Sequence, residues 1–248
     1  MQFGALIFDC DGVLVDSEAI AIRRERELLA EWGLEYDFET FVSRFVGLHN
    51  RDFYLALEAD AAEAGLRLPD RFGALLQANN WKYYEAELEP IAGVLDTIAA
   101  FSGPQAVASS SEADKLVRKL TMTGLADMFT PHIYSSDLVK HGKPAPDLFL
   151  LTAEALKVAP TGCVVVEDSV NGVLAARAAG MTAWGFTGGG HADAGLAGRL
   201  AQAGAHAVFS SHHEIAQALT RLRRSVRLRR IRSARRACSC RACTCLRR

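Results

Sequence analysis

Apolar and polar positions along the chain follow two rhythms. Short continuous apolar runs bounded by Gly, Pro or Asp read as buried strands: Ala5–Phe8, Gln105–Ala108, Cys163–Val166, Thr182–Phe186 and His206–Phe209. Between them, apolar residues recur at three- and four-residue spacing and predict helices over 94–101, 112–122, 147–157, 170–179, 194–203 and 212–222. Strands alternating with helices argue for a parallel sheet covered on both faces. Residues 18–88 break the rhythm. They hold no strand-like stretch, only helical patterns such as Ile22–Trp32, Phe38–Phe45, Asp52–Ala64 and Arg71–Glu87. The pattern predicts an α/β fold with a helical block after the first strand and hinges near Asp16–Glu18 and Leu88–Gly93. Gly93, following Glu89-Pro90-Ile91-Ala92, is a break suited to re-entry into the sheet.

Three of the predicted strand ends, and one segment between strands, carry reactive side chains. Phe8 to Ser17 reads FDCDGVLVDS, with Asp9 and Asp11 two positions apart just before Gly12. The loop at the carboxyl end of such a strand is where α/β sheets place their chemistry. Ala106-Val107-Ala108 ends in Ser109, Ser110 and Ser111. Lys143-Pro144-Ala145-Pro146-Asp147 follows, and then Val164-Val165-Val166 ends in Glu167-Asp168-Ser169. Each has an ordinary reading taken alone. They are an acidic turn capped by Asp16 or Ser17, an N-cap in a serine run, a solvated lysine, and an acidic pair at a helix N-terminus.

Taken in order, the four resemble the motifs of the haloacid dehalogenase superfamily. These are DxDGxLxDS, matched by Asp9, Asp11, Gly12, Leu14, Asp16 and Ser17; a Ser closing an apolar strand; a Lys within KPxPD; and a carboxylate pair after another strand. The resemblance runs from about Phe3 to about Leu219. Within the superfamily it points to the β-phosphoglucomutase and phosphoglycolate phosphatase-like members with a helical cap. It implies a Rossmann-like parallel sheet core with an inserted α-helical cap domain. Residues 1–17 and 89–220 would form the core and 18–88 the cap.

The resemblance also implies roles. Asp9 would be the nucleophile and form an aspartyl-phosphate. Asp11 would protonate the leaving oxygen and then deprotonate the attacking water. Ser109, with Ser110 behind it, would bind phosphoryl oxygens, and Lys143 would supply charge to nucleophile and phosphate. The expected cofactor is Mg²⁺, held by the Asp9 and Asp168 side chains and the Asp11 carbonyl, with Glu167 ligating or ordering water. No His/Cys cluster stands here, which argues against zinc. Asn171 is expected to help hold its loop by side-chain hydrogen bonds, and Lys140 to face solvent.

The presence of Asp11 favours phosphate chemistry over dehalogenation. Mutases of this type carry a cap His, Arg and Lys, and Ala21, Asn50 and Asn80 occupy those positions here. A phosphatase is therefore expected, with a phosphomutase as the alternative, since a one-residue shift would bring Arg51 to the clamp. A non-catalytic binding module predicts loss of Asp9, Asp11, Lys143 or Asp168, and all four are intact. Candidate cap contacts are Glu18, Arg23, His49, Asn50, Arg51, Asn79, Asn80 and Lys82, Asn50 and Arg51 foremost. Such polar donors suit a small hydroxylated ester, a sugar or sugar-acid phosphate, although most charged cap residues face water.

Composition sharpens this picture at the edges. Half of the 248 residues are apolar, enough for a substantial core without staples. The net charge of −1 conceals two unlike pieces. Residues 221–248 hold 12 of the 28 Lys+Arg and no acid, leaving 16 basic against 29 acidic residues in 1–220, a net of −13. An acidic body of that kind is not expected to wrap nucleic acid. No apolar run spans a membrane, and the start lacks a basic region before its apolar stretch, so a cytoplasmic enzyme is expected, monomeric or a weak homodimer. The Arg/Cys-rich tail has three readings: an RNA- or membrane-binding arm, a soft-metal site on Cys238, Cys240, Cys243 and Cys245, or disordered sequence outside the fold. The abrupt change of composition favours the last. Cys10 and Cys163 read as small core residues.

Overall fold

The computed structural model describes residues 3–48 and 50–224. Six strands, β1 (Ala5–Phe8), β2 (Gln105–Ser109), β3 (Ile133–Ser135), β4 (Cys163–Glu167), β5 (Thr182–Phe186) and β6 (Ala207–Phe209), form one parallel sheet in the order β3-β2-β1-β4-β5-β6. The central strands β1 and β4 are buried at every position, which is why they read as unbroken apolar runs. β3 was not expected. It is a three-residue edge strand with only Ser135 fully buried, so no apolar run marks it.

Four helices, α1 (Ser17–Glu31), α2 (Phe38–Phe45), α3 (Asn50–Glu63) and α4 (Phe72–Glu87), occupy the stretch without strands. They enclose an apolar cluster of their own, built on Ile22, Leu29, Phe41, Phe45, Phe53, Leu57, Phe72 and Leu76. The rings of Phe45 and Phe53 meet edge-on at 5.4 Å within it, a favoured aromatic geometry. The two segments joining this block to the sheet run side by side. Val15 pairs antiparallel with Pro90, and the Ile91 N–H donates to the Leu14 carbonyl at 2.9 Å.

The sheet is covered by α5 (Val94–Ala100), α6 (Ala113–Met122), α7 (Ala126–Phe129), α8 (Asp147–Ala155), α9 (Val170–Ala178), α10 (Leu196–Gln202) and α11, helical from 212 to the last described residue, 224. Alternate strand residues feed opposite faces, as a two-residue period requires. Leu6, Phe8, Val164, Val166 and Phe186 pack with Ile215 and Leu219, while Ala5, Ile7, Val165 and Ala183 pack with Leu148, Phe149 and Val173. Cys10 and Cys163 are buried, unpaired core residues.

From β1 the chain builds outward through β2 to β3, then returns to β4 on the other side of β1. That reversal opens a crevice at the carboxyl ends of β1, β2 and β4. No helix among the described residues is long and apolar enough to cross a membrane. The tail beyond 224, with its four cysteines, and His49 lie outside the described residues.

Candidate active site

The loop after β1 turns on itself at once. The Cys10 carbonyl accepts from the N–H groups of Leu14 at 2.8 Å and Val15 at 3.1 Å, and Gly12 supplies a positive φ of 71°. A side chain at Gly12 has no room, since a Cβ would stand 1.9 Å from Asp168 Oδ2. This turn holds Asp9 and Asp11 over the sheet, and they point to different partners.

Asp9 faces Lys143, whose Nζ donates to its Oδ1 at 2.6 Å and also contacts Glu167 Oε1. Asp9 Oδ2 has no hydrogen-bond partner among the described residues. Glu167 is fully buried and is held from behind by Ser169, which gives it a backbone N–H at 3.2 Å and a hydroxyl at 2.9 Å. Ser169 Oγ also caps α9 by accepting from the Gly172 N–H at 3.0 Å. Ser169 therefore does the holding expected of Asn171, which is exposed, makes no side-chain hydrogen bond among the described residues, and only lines the cavity. Lys140 is exposed.

Oxygens of Asp9, Glu167 and Asp168 lie within 4.8 Å of one another. Burial pushes the Asp9 carboxyl well above the usual carboxylate range. Lys143 opposes that shift, but Glu167, Asp168 and Asp11 add to it. Burial likewise raises Glu167 despite Lys143. One ammonium does not neutralise this cluster. Asp168 Oδ2, moreover, is buried without a hydrogen bond. An all-oxygen cluster in which one buried carboxylate oxygen lacks a hydrogen bond fits a hard divalent cation.

Asp11 turns the other way. Its carboxylate takes contacts from Ser17 Oγ and Lys119 Nζ on Oδ1, and from Ser111 Oγ on Oδ2 at 2.7 Å. Burial works against its ionisation, but the Lys119 ammonium and these three donors outweigh burial and hold the carboxyl below the usual range. Ser111 thus serves Asp11 and does not cap α6, whose N-cap is Glu112. Ser109 is buried at the end of β2, its Oγ accepting from the Ser111 N–H at 3.1 Å.

Two partners in this site escaped the sequence reading. Lys119 lies on the inward face of α6 with Leu116 and Leu120. A lysine at i+3 from a core leucine was the available signal. His191 follows the Gly188-Gly189-Gly190 run beyond β5 and is buried. Its Nε2 stands 3.2 Å from Asp168 Oδ2, off hydrogen-bond geometry, and 3.5 Å from Glu18 Oε2. Burial disfavours the imidazolium, but Asp168 and Glu18 outweigh it and lift the pKa to about 9.

Asp9, Asp11, Ser109, Ser110, Lys143 and Asp168 open onto a cavity of about 670 Å³ between the sheet and the helical block. Across it stand Glu18, Ala21, Glu25, Asn50, Tyr54, Gln77, Asn80 and Tyr84. Arg51 is exposed on α3 and does not line the cavity; neither do Arg23, Asn79 or Lys82.

A family model described as haloacid dehalogenase-like hydrolase matches residues 3–180. The chain is 34% identical over 184 residues to fructose-1-phosphate phosphatase YqaB of Escherichia coli (strain K12), covering 73% of this chain and 95% of that one. It is 30% identical over 183 residues to 6-phosphogluconate phosphatase of the same organism, covering 73% and 81%. Among solved structures, a haloacid dehalogenase-like protein of Agrobacterium tumefaciens superposes with a TM-score of 0.81 at 38% identity, covering 89% of this chain and 99% of that one. With its carboxylates, lysine and serine gathered at one sheet crevice, the chain belongs to the haloacid dehalogenase-like hydrolases and is a phosphoric monoester hydrolase.

Proposed function

We propose that the chain is a Mg²⁺-dependent phosphatase of a small sugar or sugar-acid phosphate, working through an aspartyl-phosphate on Asp9. The observation that carries this reading is the state of Asp9. Lys143 occupies Oδ1, while Oδ2 is without a partner beside the cavity. Asp9 Oδ2 attacks phosphorus as the ester P–O bond breaks, and Asp11 gives the leaving oxygen its proton. Asp11 then takes a proton from water, whose oxygen attacks phosphorus and frees Asp9. Lys119, Ser17 and Ser111 keep the Asp11 carboxyl below its usual range, which supports a base role in this second half. The first half uses its protonated form, which an approaching phosphate dianion favours. Ser109, Ser110 and Lys143 orient the phosphoryl group. Mg²⁺ on Asp9, Asp168 and the Asp11 carbonyl, with Glu167 beside it, would offset the negative charge of phosphate and carboxylates.

The α1–α4 block acts in this proposal as a cap that closes over the ester and excludes water. The relatives' substrates, fructose 1-phosphate and 6-phosphogluconate, support the substrate class. Hydrolysis is favoured over mutase chemistry because Ala21, Asn50 and Asn80 give the cap wall no cation to hold a second phosphate. We place the enzyme in the cytoplasm, a reading supported by its two unpaired buried thiols, as a monomer or weak homodimer. The test is phosphate release from phosphorylated sugars and sugar acids with Mg²⁺ and with EDTA, including β-glucose 1-phosphate assayed for glucose 6-phosphate. Mg²⁺-dependent release is expected; isomerisation without release overturns the proposal.

A further inference from the structure

The two walls of the cavity differ in charge. The sheet side presents Lys143, Lys119 and Lys115 with the serines, while among the described residues the cap side presents no lysine or arginine. Arg118 stacks on Trp81 at 4.4 Å, but it pairs with Glu85 and does not line the cavity. Glu25 stands on this cap wall with no ion-pair partner among the described residues. Its one hydrogen bond among the described residues is to the Asn80 amide, Nδ2 donating to Oε1 at 2.7 Å. Asn80 is itself 7% exposed, and its Oδ1 has no hydrogen bond. The Tyr84 hydroxyl nearby has no hydrogen bond among the described residues either, and burial first, with Asp11, Glu25 and Glu18 adding, keeps that phenol protonated.

A hydroxyl fits this wall and an anion does not. A sugar hydroxyl can donate to a Glu25 oxygen, which the Asn80 amide holds in place, and accept from Tyr84. A carboxylate or second phosphate at the same place would be desolvated against Glu25 with no cation to meet it. We infer that Glu25 and Asn80 are specificity-determining residues that select phosphate esters with an uncharged polyol end and reject those with an acidic end. This rests on the phosphatase reading and narrows its substrate class.

The test compares glucitol 6-phosphate with 6-phosphogluconate, which differ only in CH₂OH against COO⁻ at one end. The assay is run at pH 8, above the value of about 7 to which burial raises Glu25 against the opposing Asn80 bond. p-Nitrophenyl phosphate serves as a substrate without either end. The expected kcat/KM ratio favours the polyol ester by about 100-fold. Glu25→Gln should cut that ratio about tenfold through a gain on the acid. Asn80→Lys should cut it further by supplying a cation. A wild-type ratio near one, with p-nitrophenyl phosphate hydrolysed, overturns the selection alone. An unchanged ratio in both folded variants overturns the assignment to these residues. No hydrolysis of any ester overturns the phosphatase reading and this inference together.

Discussion

Lys119 reaches Asp11 from 108 residues away and, with Ser17 and Ser111, fixes the carboxylate that the resemblance marks as acid and base. The contact holds the Asp11 carboxyl below its usual range, against the opposing pull of burial. Lys119→Met keeps the stem and removes the charge. We expect kcat to fall about 10- to 100-fold, the worth of a charge-assisted hydrogen bond. Without the ammonium the Asp11 pKa rises, and water attack needs the carboxylate, so the acid limb of the kcat profile should move to higher pH. An unmoved limb would separate Lys119 from the Asp11 titration.

The reach of the sequence follows from the same pair. β1, β2, β4 and β5 were legible because buried parallel strands are continuous apolar runs; Asp9, Ser109 and Glu167-Asp168 were legible because they stand at such ends, and Lys143 because of the KPAPD sequence around it. Lys119 and His191 were not, since their meaning lies in what faces them across the fold. Arg51 shows the converse. Its charge suggested a phosphate clamp, but its place on α3 turns it to solvent, while the neighbouring Asn50 lines the cavity. β3 and α7 are too short to leave a period.

The acid cluster makes cation binding and pH act together on stability. Asp9 and Glu167 have raised carboxyl values in the fold, so without metal they favour it below about pH 4, the unfolded carboxylate range, and that contribution is lost as pH rises through their folded values. In EDTA, wild type should therefore lose Tm relative to Asp9→Asn as pH climbs above about 4. Mg²⁺ at a hundred times its dissociation constant should add about 2.7 kcal/mol, roughly 5–10 °C in Tm. Asp168→Ala should abolish most of that Mg²⁺ response. Differential scanning calorimetry reads all three effects, and a Mg²⁺ response that survives in Asp168→Ala would rule this cluster out as the cation site.

Gly172 is needed for the place it leaves open. A Cβ there would stand 1.9 Å from the Glu167 carboxyl carbon, with both carboxylate oxygens at 2.0 and 2.1 Å. Glu167 is buried and cannot step aside cheaply. Gly172→Ala is expected to cost about 1–3 kcal/mol despite the better helix propensity of alanine. It should also raise the Mg²⁺ concentration for half-activation about 10-fold or more. In a Glu167→Asp background the shorter acid clears the new methyl, so the added cost should fall below about 0.5 kcal/mol. Additive costs in the double-mutant cycle would place the strain elsewhere.

His212 ties the loop after β1 to α11. It is fully buried, with Nε2–H donating to the Val13 carbonyl at 2.7 Å and Nδ1 3.1 Å from the Thr97 hydroxyl. Burial lowers its pKa, opposed by the bond to Val13, so the folded protein keeps it neutral. An unfolded histidine takes a proton near pH 6.5, so stability from His212 is full above about pH 7 and declines as pH falls through that value toward the lower folded one. The carboxylate cluster slopes the other way, so wild type must be compared with His212→Gln at each pH. At pH 7.5 the variant should be about 1–3 kcal/mol less stable by urea unfolding, the cost of unsatisfied buried groups. By pH 5.5 the gap should narrow, because only the wild type pays for excluding a proton. A gap that stays constant or widens would mean that His212 is protonated in the fold, joining Val13 and Thr97 as a cation.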